Sequence, residues 1–458
     1  MHRVGHTVIA ALLCATMVVA ASSSTAHAEE AQVETSSSYG VHDVLHRVES
    51  LHPQLRARAA VRLRTEIGVR RAKWDRVQAA SGVAAGHAVG GSGLAATDPA
   101  LRPPGSPWSD GFAGQVFADL RLPLWAGGAI SNGIEAAEAR NDAAREDESF
   151  SREDLKRTAL VAYASASAAR ASMLVARAAH ERALALVNVA ETRRDTGVGT
   201  EADVARSRLN ALRRQEELTT LEGDVDVALA TLRAALVLPE DAPIALRDSL
   251  DTLGTYEGTS SGRYPEVLAD TARVSAAEAD ARVARAGYLP RIDLFASGAY
   301  QTGLVGGTAG GLGLAPVVSP LSDRFQGFQG EATAGVMLTW RGFDMFVVRD
   351  RVAQADATAD IARATLAETQ RAVGGRRAEA RARETRARQR VAVLASGDTV
   401  ANDSVRLARG RYDSGTAILT EVLDTELDRI AVQARQVDAA YELAVAHIER
   451  LRAEGSFL

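Results

Sequence analysis

Cysteine is all but missing from this 458-residue chain, and the single example, Cys14, lies in an apolar run near the N-terminus. Leu13 precedes it where a lipid-anchoring signal needs a small residue, so Cys14 is not read as an anchor. Residues 1–28 have a basic start at Arg3, an apolar core from Val8 to Ala21 and a small-residue ending, Ala26-His27-Ala28. Together these predict a secretory signal cleaved before Glu29. The mature chain is then free of cysteine. Disulfides and thiolate metal sites are excluded, and stability in an oxidising compartment has to come from packing and oligomerisation.

Other absences narrow the function. The formal net charge of −5 becomes about −6 once Arg3 leaves with the signal, and acids and bases interleave along the predicted helices. That balance excludes the basic patch of a nucleic-acid binder. Beyond the signal no segment offers the roughly 18 consecutive apolar residues of a membrane helix. A bilayer is therefore open to this chain only through a β-barrel, the other structure that satisfies its backbone there. No phosphate loop, nucleophile elbow or cysteine cluster is present, which predicts a non-enzyme without a cofactor. His42 and His46 are four apart around Asp43, but no third ligand is evident, so they read as a solvated helix face rather than a metal site. His180 reads as packing.

Proline is absent from residues 343–410, and an apolar residue at every seventh position runs through that stretch. Its seam is Val352, Ala359, Leu366, Val373, Ala380, Ala387, Leu394, Ala401 and Ala408. A second seam holds Leu155, Ala162, Ala169, Ala176, Ala183 and Ala190. A strict heptad specifies a left-handed coiled coil, and alanine on the seam brings the partner close. At 1.5 Å per residue the longer helix, ending near Gly410, is a rod of roughly 100 Å, too long for the core of a compact domain.

Each rod belongs to one copy of a repeated layout. In the second copy a helix opens at Tyr264-Pro265, runs to about Ala286 and ends at Gly287-Tyr288-Leu289-Pro290. An alternating strand follows, with Ile292, Leu294, Ala296, Gly298 and Tyr300 opposing Asp293, Ser297 and Gln301. A Gly-rich loop, 303–327, leads to a second strand with Ala332, Ala334, Val336, Leu338 and Trp340 on one face. The rod then begins near Phe343, turns at Arg411-Tyr412-Asp413-Ser414-Gly415-Thr416 and returns from Ala417 to about Arg452. The first copy has a helix from Pro53, a Gly- and Pro-containing loop at 97–107, a strand at 112–124 and a rod from about Gly128 to Arg193. Its turn is Asp195-Thr196-Gly197-Val198-Gly199-Thr200, with a return helix to about Val237. Trp125 to Phe343 and Gly197 to Gly415 give the same offset, 218, which favours duplication. The matching first strand, near Ala79 to Leu94, is Gly- and Ala-rich and poorly defined.

Strands that are apolar outward and polar inward carry the transmembrane β pattern, although Phe117 sits on the polar side of its strand. Four strands are too few to close a barrel, and open edges are forbidden in lipid. Several copies must share one barrel, in a number that these residues alone leave open.

His52-Pro53, Leu122-Pro123-Leu124-Trp125 with Gly127-Gly128, Gly287-Tyr288-Leu289-Pro290-Arg291, Leu338-Thr339-Trp340 and the tip Arg411 to Thr416 running into Glu421-Val422-Leu423-Asp424 occur in this order across the mature chain. In that order and spacing the chain resembles the TolC-type outer-membrane factor family. The resemblance implies an α+β membrane protein, with long antiparallel helical coiled-coil hairpins and four strands per chain in a shared trimeric β-barrel. It implies a homotrimer in outer-membrane lipid with a periplasmic extension, meeting a periplasmic adaptor and an inner-membrane transporter. The expected function is the passive exit duct of a tripartite efflux or type I secretion system. The expected divisions are a signal peptide (1–28), a first structural repeat (29–237), a linker or equatorial segment (238–263) and a second structural repeat (264–458).

By the same resemblance, Glu421 and Asp424 line the periplasmic aperture, where like charges in a narrow pore attract cations. Acids in the first turns of a helix also suit its dipole without any pore. Tyr412 and Asp203 match positions that latch the inner helices closed, while Ala417 stands where the basic partner belongs. Asp203 follows Thr200 by three residues, which also fits an ordinary helix cap. Gly197, Gly199, Thr200, Gly415 and Thr416 match the adaptor-docking tips, although glycine for the turn and threonine for the cap would account for them too. Trp108, Trp125, Phe325, Phe328 and Trp340 flank the strands where aromatic rings settle at membrane interfaces. The alternative is a soluble periplasmic adaptor or coiled-coil structural protein, which shares the hairpins but not the two strand pairs. Membrane fractionation separates the two: the duct is expected in the detergent-extractable outer membrane, and recovery in the soluble periplasm without detergent would contradict it.

Overall fold

The computed structural model describes residues 38–90, 109–257, 259–260, 262–302, 329–340 and 345–457. The expected signal peptide, the loops at 97–107 and 303–327, and Trp108, Phe325, Phe328 and Phe343 lie outside these residues.

Two short helices, α1 (Val41–Leu51) and α2 (Pro53–Trp74), are followed by strands β2 (Gln78–Gly90) and β3 (Ser109–Trp125), the rod α3 (Ala129–Asp195) and its return α4 (Glu201–Ala235). The second half places α6 (Pro265–Arg285), β6 (Arg291–Thr302), β7 (Gln329–Thr339), the rod α7 (Met345–Asp413) and its return α8 (Leu419–Ala453) in the same order. Proline at the first helical position starts both α2 and α6, where its missing N–H costs nothing. The rods, of 67 and 69 residues, are each roughly 100 Å long. No member of either heptad seam is exposed: each is buried or half-buried. One stretch of α3 is apolar enough by composition to cross a bilayer, but 44% of it is buried inside the chain.

Because alanine seams bring backbones close without filling a deep core, charged side chains carry much of the contact above the seams. Arg273 on α6 reaches Asp147 of α3 at 2.6 Å, and Arg285 reaches Asp356 of α7 at 2.7 Å, so α6 is wedged between the rods. Arg62 ties α2 to Glu148 of α3 at 3.1 Å.

Near the middle of the rods a compact belt forms where the linker meets both ends of the described chain. Strand β1 (Ser38–Tyr39) pairs in parallel with β4 (Ala245–Leu246), and β5 (Thr259–Ser260) pairs antiparallel with β8 (Ser456–Phe457). The short helix α5 (Leu250–Gly254) lies between them in sequence. Val44, Val48, Leu160, Leu232, Leu253 and Ile448 form the belt's core around Tyr163. The fully buried Tyr163 hydroxyl donates to the Tyr39 carbonyl at 3.0 Å and accepts from the Asp248 N–H at 2.9 Å. Asp248 in turn accepts from the Val41 N–H at 2.7 Å. One phenol thus fastens the linker and the N-terminal segment to α3.

The four long strands form one antiparallel sheet in the order β2-β3-β6-β7. Its register places Val83, Val116, Leu120, Leu294, Val336 and Leu338 on one face, exposed from 37% at Leu120 to 77% at Val83. The other face carries Asp293, fully buried between Arg121 and Arg291 at 2.7 Å from each. Phe117 also lies on this side because its ring covers Gly82, where an added Cβ would come within 2.7 Å of it. Phe295 covers Gly335 in the same way at 3.2 Å. Leaving the sheet, the chain turns at Gly127 and Gly128, with φ of +60° and +84°, before α3 begins. A side chain at Gly127 would also collide with Leu289 at 2.9 Å.

Beside the belt on α3, the buried carboxyl of Glu153 is pushed up to about 7 by burial, against the opposing pull of Lys156, Arg452 and Arg152 and with help from Glu49. A carboxyl raised from 4.5 to about 7 on folding contributes stability that is present below pH 4.5 and lost as the pH rises through 7. Glu153→Gln is expected to raise the unfolding midpoint at pH 8 and flatten its pH dependence between 4.5 and 7, measured by thermal melts. An unchanged profile would contradict this.

Candidate functional site at the hairpin tips

The two tips are built from one set of backbone bonds, repeated 218 residues apart. Gly197 N–H donates to the Arg194 carbonyl at 2.9 Å, and Val198 and Gly199 both donate to the Arg193 carbonyl at 2.9 and 2.8 Å. In the second tip Gly415 donates to Tyr412 at 3.0 Å, while Thr416 and Ala417 donate to Arg411 at 2.8 and 3.1 Å. Both central glycines have φ near +80°, 79° at Gly197 and 77° at Gly415, a conformation that favours glycine.

The return helices begin differently. Thr200 accepts from the Asp203 N–H at 3.2 Å, and the Asp203 carboxylate accepts from the Thr200 hydroxyl at 2.8 Å and from its N–H at 3.3 Å, a capping box. The cap expected from Thr416 is not formed. Its hydroxyl donates back to the Arg411 carbonyl at 3.0 Å, and Ile418, two residues on, takes the cap position of α8 without a side-chain bond.

Tyr412 is buried beside Leu186, Ala408, Leu419 and Val422. Its hydroxyl has no hydrogen-bond partner among the described residues. Burial raises its pKa above the ordinary tyrosine value; Arg193 opposes the shift, while Asp203 and Asp413 add to it. Asp203 is therefore near enough to be felt by Tyr412, but its hydrogen bonds go to Thr200.

A residue that the sequence reading overlooked joins the tips. The Arg193 guanidinium stacks 4.6 Å from the centre of the Tyr412 ring and donates to the Tyr412 and Asp413 carbonyls at 2.9 and 3.3 Å. These are the last carbonyls of α7, the negative end of that helix, so a cation from α3 both caps it and covers its aromatic residue. The position matching Arg193 in the other repeat is Arg411, which instead pairs with Glu421 in its own hairpin. A basic residue in the last turn of each rod was the available signal, but only the folded tips show that one of them crosses over.

Glu421 thus has its charge partly neutralised within the chain, whereas Asp424 is exposed and makes no ion pair among the described residues. Gly197, Thr200, Gly415 and Thr416 are exposed and Gly199 is half-buried. Val198 and Ile418, not singled out by sequence, expose 66% and 71% of their surface at the same end. His42 and His46 are exposed on α1. His180 meets the Ala211 carbonyl at 3.3 Å, between α3 and α4.

Residues 98–237 and 260–453 match the profile of the family described as "Outer membrane efflux protein". The chain belongs to this family, whose members are outer-membrane channels with a periplasmic extension. It is 28% identical over 200 residues to the pyoverdine export outer membrane protein OpmQ of Pseudomonas putida, covering 42% of each chain. It is 26% identical over 355 residues to the protein CyaE of Bordetella pertussis, covering 76% of this chain and 72% of CyaE. Its fold is similar to that of the outer membrane protein VceC of Vibrio cholerae, with a TM-score of 0.73 and 18% identity over 91% of this chain and 96% of VceC. The chain spans only about two fifths of the length of OpmQ, the curated relative named first.

Replacing Arg193 by Met keeps much of the side-chain volume but removes the bonds to Tyr412 and Asp413. It is expected to loosen the tips, read as a wider distance distribution between spin labels on cysteines placed at Val198 and Ser414 of a chain in which Cys14, the one cysteine of the sequence, is replaced by Ala. An unchanged distribution would contradict the latch.

Proposed function

We propose that three copies of this chain form a passive duct from the periplasm through the outer membrane, working with a periplasmic adaptor and an inner-membrane transporter in tripartite efflux or type I secretion. The observation that carries the reading is the four-stranded sheet, with an apolar face left bare and each edge strand paired on one side only among the described residues, joined directly to two long helical hairpins. Three such sheets supply twelve strands, enough to close a barrel whose apolar faces meet lipid and whose polar faces line the lumen. The hairpins of three chains then form the tunnel below.

Val198 and Ile418 support docking of the adaptor at the tips, beside Gly197, Gly199, Thr200, Gly415 and Thr416, because bare apolar side chains at an exposed turn mark a contact surface. The exported molecule is selected by the transporter. OpmQ is named for pyoverdine export, and a small exported metabolite of that kind is a cargo this duct would also pass.

At the aperture the proposed roles divide. Asp424, without an ion-pair partner among the described residues, supplies the field that enriches cations. Glu421 holds Arg411, so its replacement leaves a cation uncompensated. Tyr412 and Asp203 stand behind them, the first held under Arg193 and the second in the cap of α4.

In planar bilayers under a salt gradient, the wild type is expected to form cation-preferring channels. Asp424→Asn and Glu421→Gln should each lower that preference, most strongly in dilute salt, because at 1 M the screening length shrinks to about 3 Å. Failure of the reconstituted protein to conduct would contradict the duct. Unchanged selectivity at low salt would contradict only the placing of these acids at the aperture.

A further inference from the structure

Above the tips, the four helices of the two hairpins meet at a cluster of arginines that the duct reading does not use. Glu426 on α8, nearly buried, receives Arg409 of α7 at 2.6 Å, with Arg429 of its own helix at 2.8 Å and Arg182 of α3 at 3.6 Å. Arg214 of α4 completes the wall and pairs with Glu217. Four guanidinium groups therefore face the buried Glu426 and the partly exposed Glu217, an excess of two positive charges in the half-buried seam between the hairpins; the further acid near Arg182, Glu181, is exposed.

The hydrogen-bond count is also incomplete. Nε and Nη2 of Arg182 and Nε of Arg429, Arg214 and Arg409 are shielded from solvent and have no hydrogen-bond acceptor among the described residues, and Nη2 of Arg429 meets Glu426 at 2.8 Å only as an ion pair. Arg182 lies below the ordinary arginine pKa, through burial first and then repulsion from Arg429, with Glu426 pulling the other way and Arg409 adding to the repulsion. Buried charged donors without acceptors are costly, and their usual partners are an ordered water or an ion.

Between these groups lies a small cavity, lined by Arg182, Arg214, Arg409 and Glu426, with about 10 Å³ of room for the centre of a water-sized sphere. Ala179 and Ala183, small residues of α3, leave that space. A water molecule would fill it but leave the charge excess in place. A polyatomic anion such as phosphate is too large.

We propose that this cavity binds one chloride-sized monovalent anion, held by the arginines of α3, α4 and α7 with Arg429 of α8 adding its charge. The ion balances half of the excess and accepts several of the orphaned N–H groups. Since the arginines come from both hairpins, its occupancy resists their sliding apart.

The test uses the trimeric protein in detergent, with chloride exchanged for gluconate at fixed ionic strength and bromide as the crystallographic probe. Expected are a bromide anomalous peak in the cavity, within hydrogen-bond distance of the guanidinium groups, and an unfolding midpoint that rises saturably with chloride. Arg182→Met should abolish the chloride-dependent rise. Glu426→Gln should shift the half-effect to a chloride concentration lower by about tenfold or more, as expected for removing a like charge a few ångströms away. A structural ion pair alone predicts a Glu426→Gln variant that is destabilised equally in both salts. Absence of the bromide peak, or a wild-type midpoint that follows ionic strength alone, overturns the proposal.

Discussion

An unpaired strand edge cannot be left in hydrocarbon, and most of this architecture follows from that constraint. Within one chain β2 and β7 each pair on a single side, and the face that includes Val83, Val336 and Leu338 is bare. In water the same sheet would be an aggregation hazard. In lipid, shared among copies, the bare face becomes the side that meets acyl chains, and the opposite face, with Asp293 held between Arg121 and Arg291, becomes the lumen. On the proposed reading oligomerisation is part of folding, because the sheet is completed only between chains.

The helical part solves a different problem: holding thin rods of roughly 100 Å together without a thick core. Alanine seams supply close approach, but each alanine buries little area, so the hydrophobic gain per turn is modest. Arginine–carboxylate pairs between helices add specificity of register more than stability, since exposed pairs contribute about 0–1 kcal/mol each. The larger buried cluster among the described residues is the belt, where Tyr163, Val44 and Leu253 bring three separate segments onto α3. At the tips the hairpins meet through Arg193 over Tyr412 and through Leu186 packed against Ala408, Leu419 and Val422.

The rods and three of the four strands were legible because their signals are local and periodic. Seven-residue spacing found seams whose every residue is buried or half-buried, and alternation located β3, β6 and β7 to within a few residues. Strand β2 was faint for a structural reason: Gly82 is small so that the Phe117 ring of the neighbouring strand can lie on it, and the alternation expected of β2 is partly carried by that other strand. The tips were legible as turns from Gly197 and Gly415, but their cross-connection was not. Arg193 has no partner within its own hairpin sequence that would mark it, because its acceptors are carbonyls more than 200 residues away. Ala417 stands where the resemblance expects a basic group, and the cation found beside Tyr412 is Arg193 of the other hairpin. The capping role of Asp203 was readable from Thr200, whereas that of Thr416 was not, because its hydroxyl turns back to Arg411.

The central claim, that the sheet is completed only by other copies of the chain, is tested most directly by the mass of the protein in mild detergent. Light scattering with the detergent contribution subtracted should give a single species of three chains, with circular dichroism reporting intact strand and helix. A monodisperse monomer retaining its strands would contradict the account.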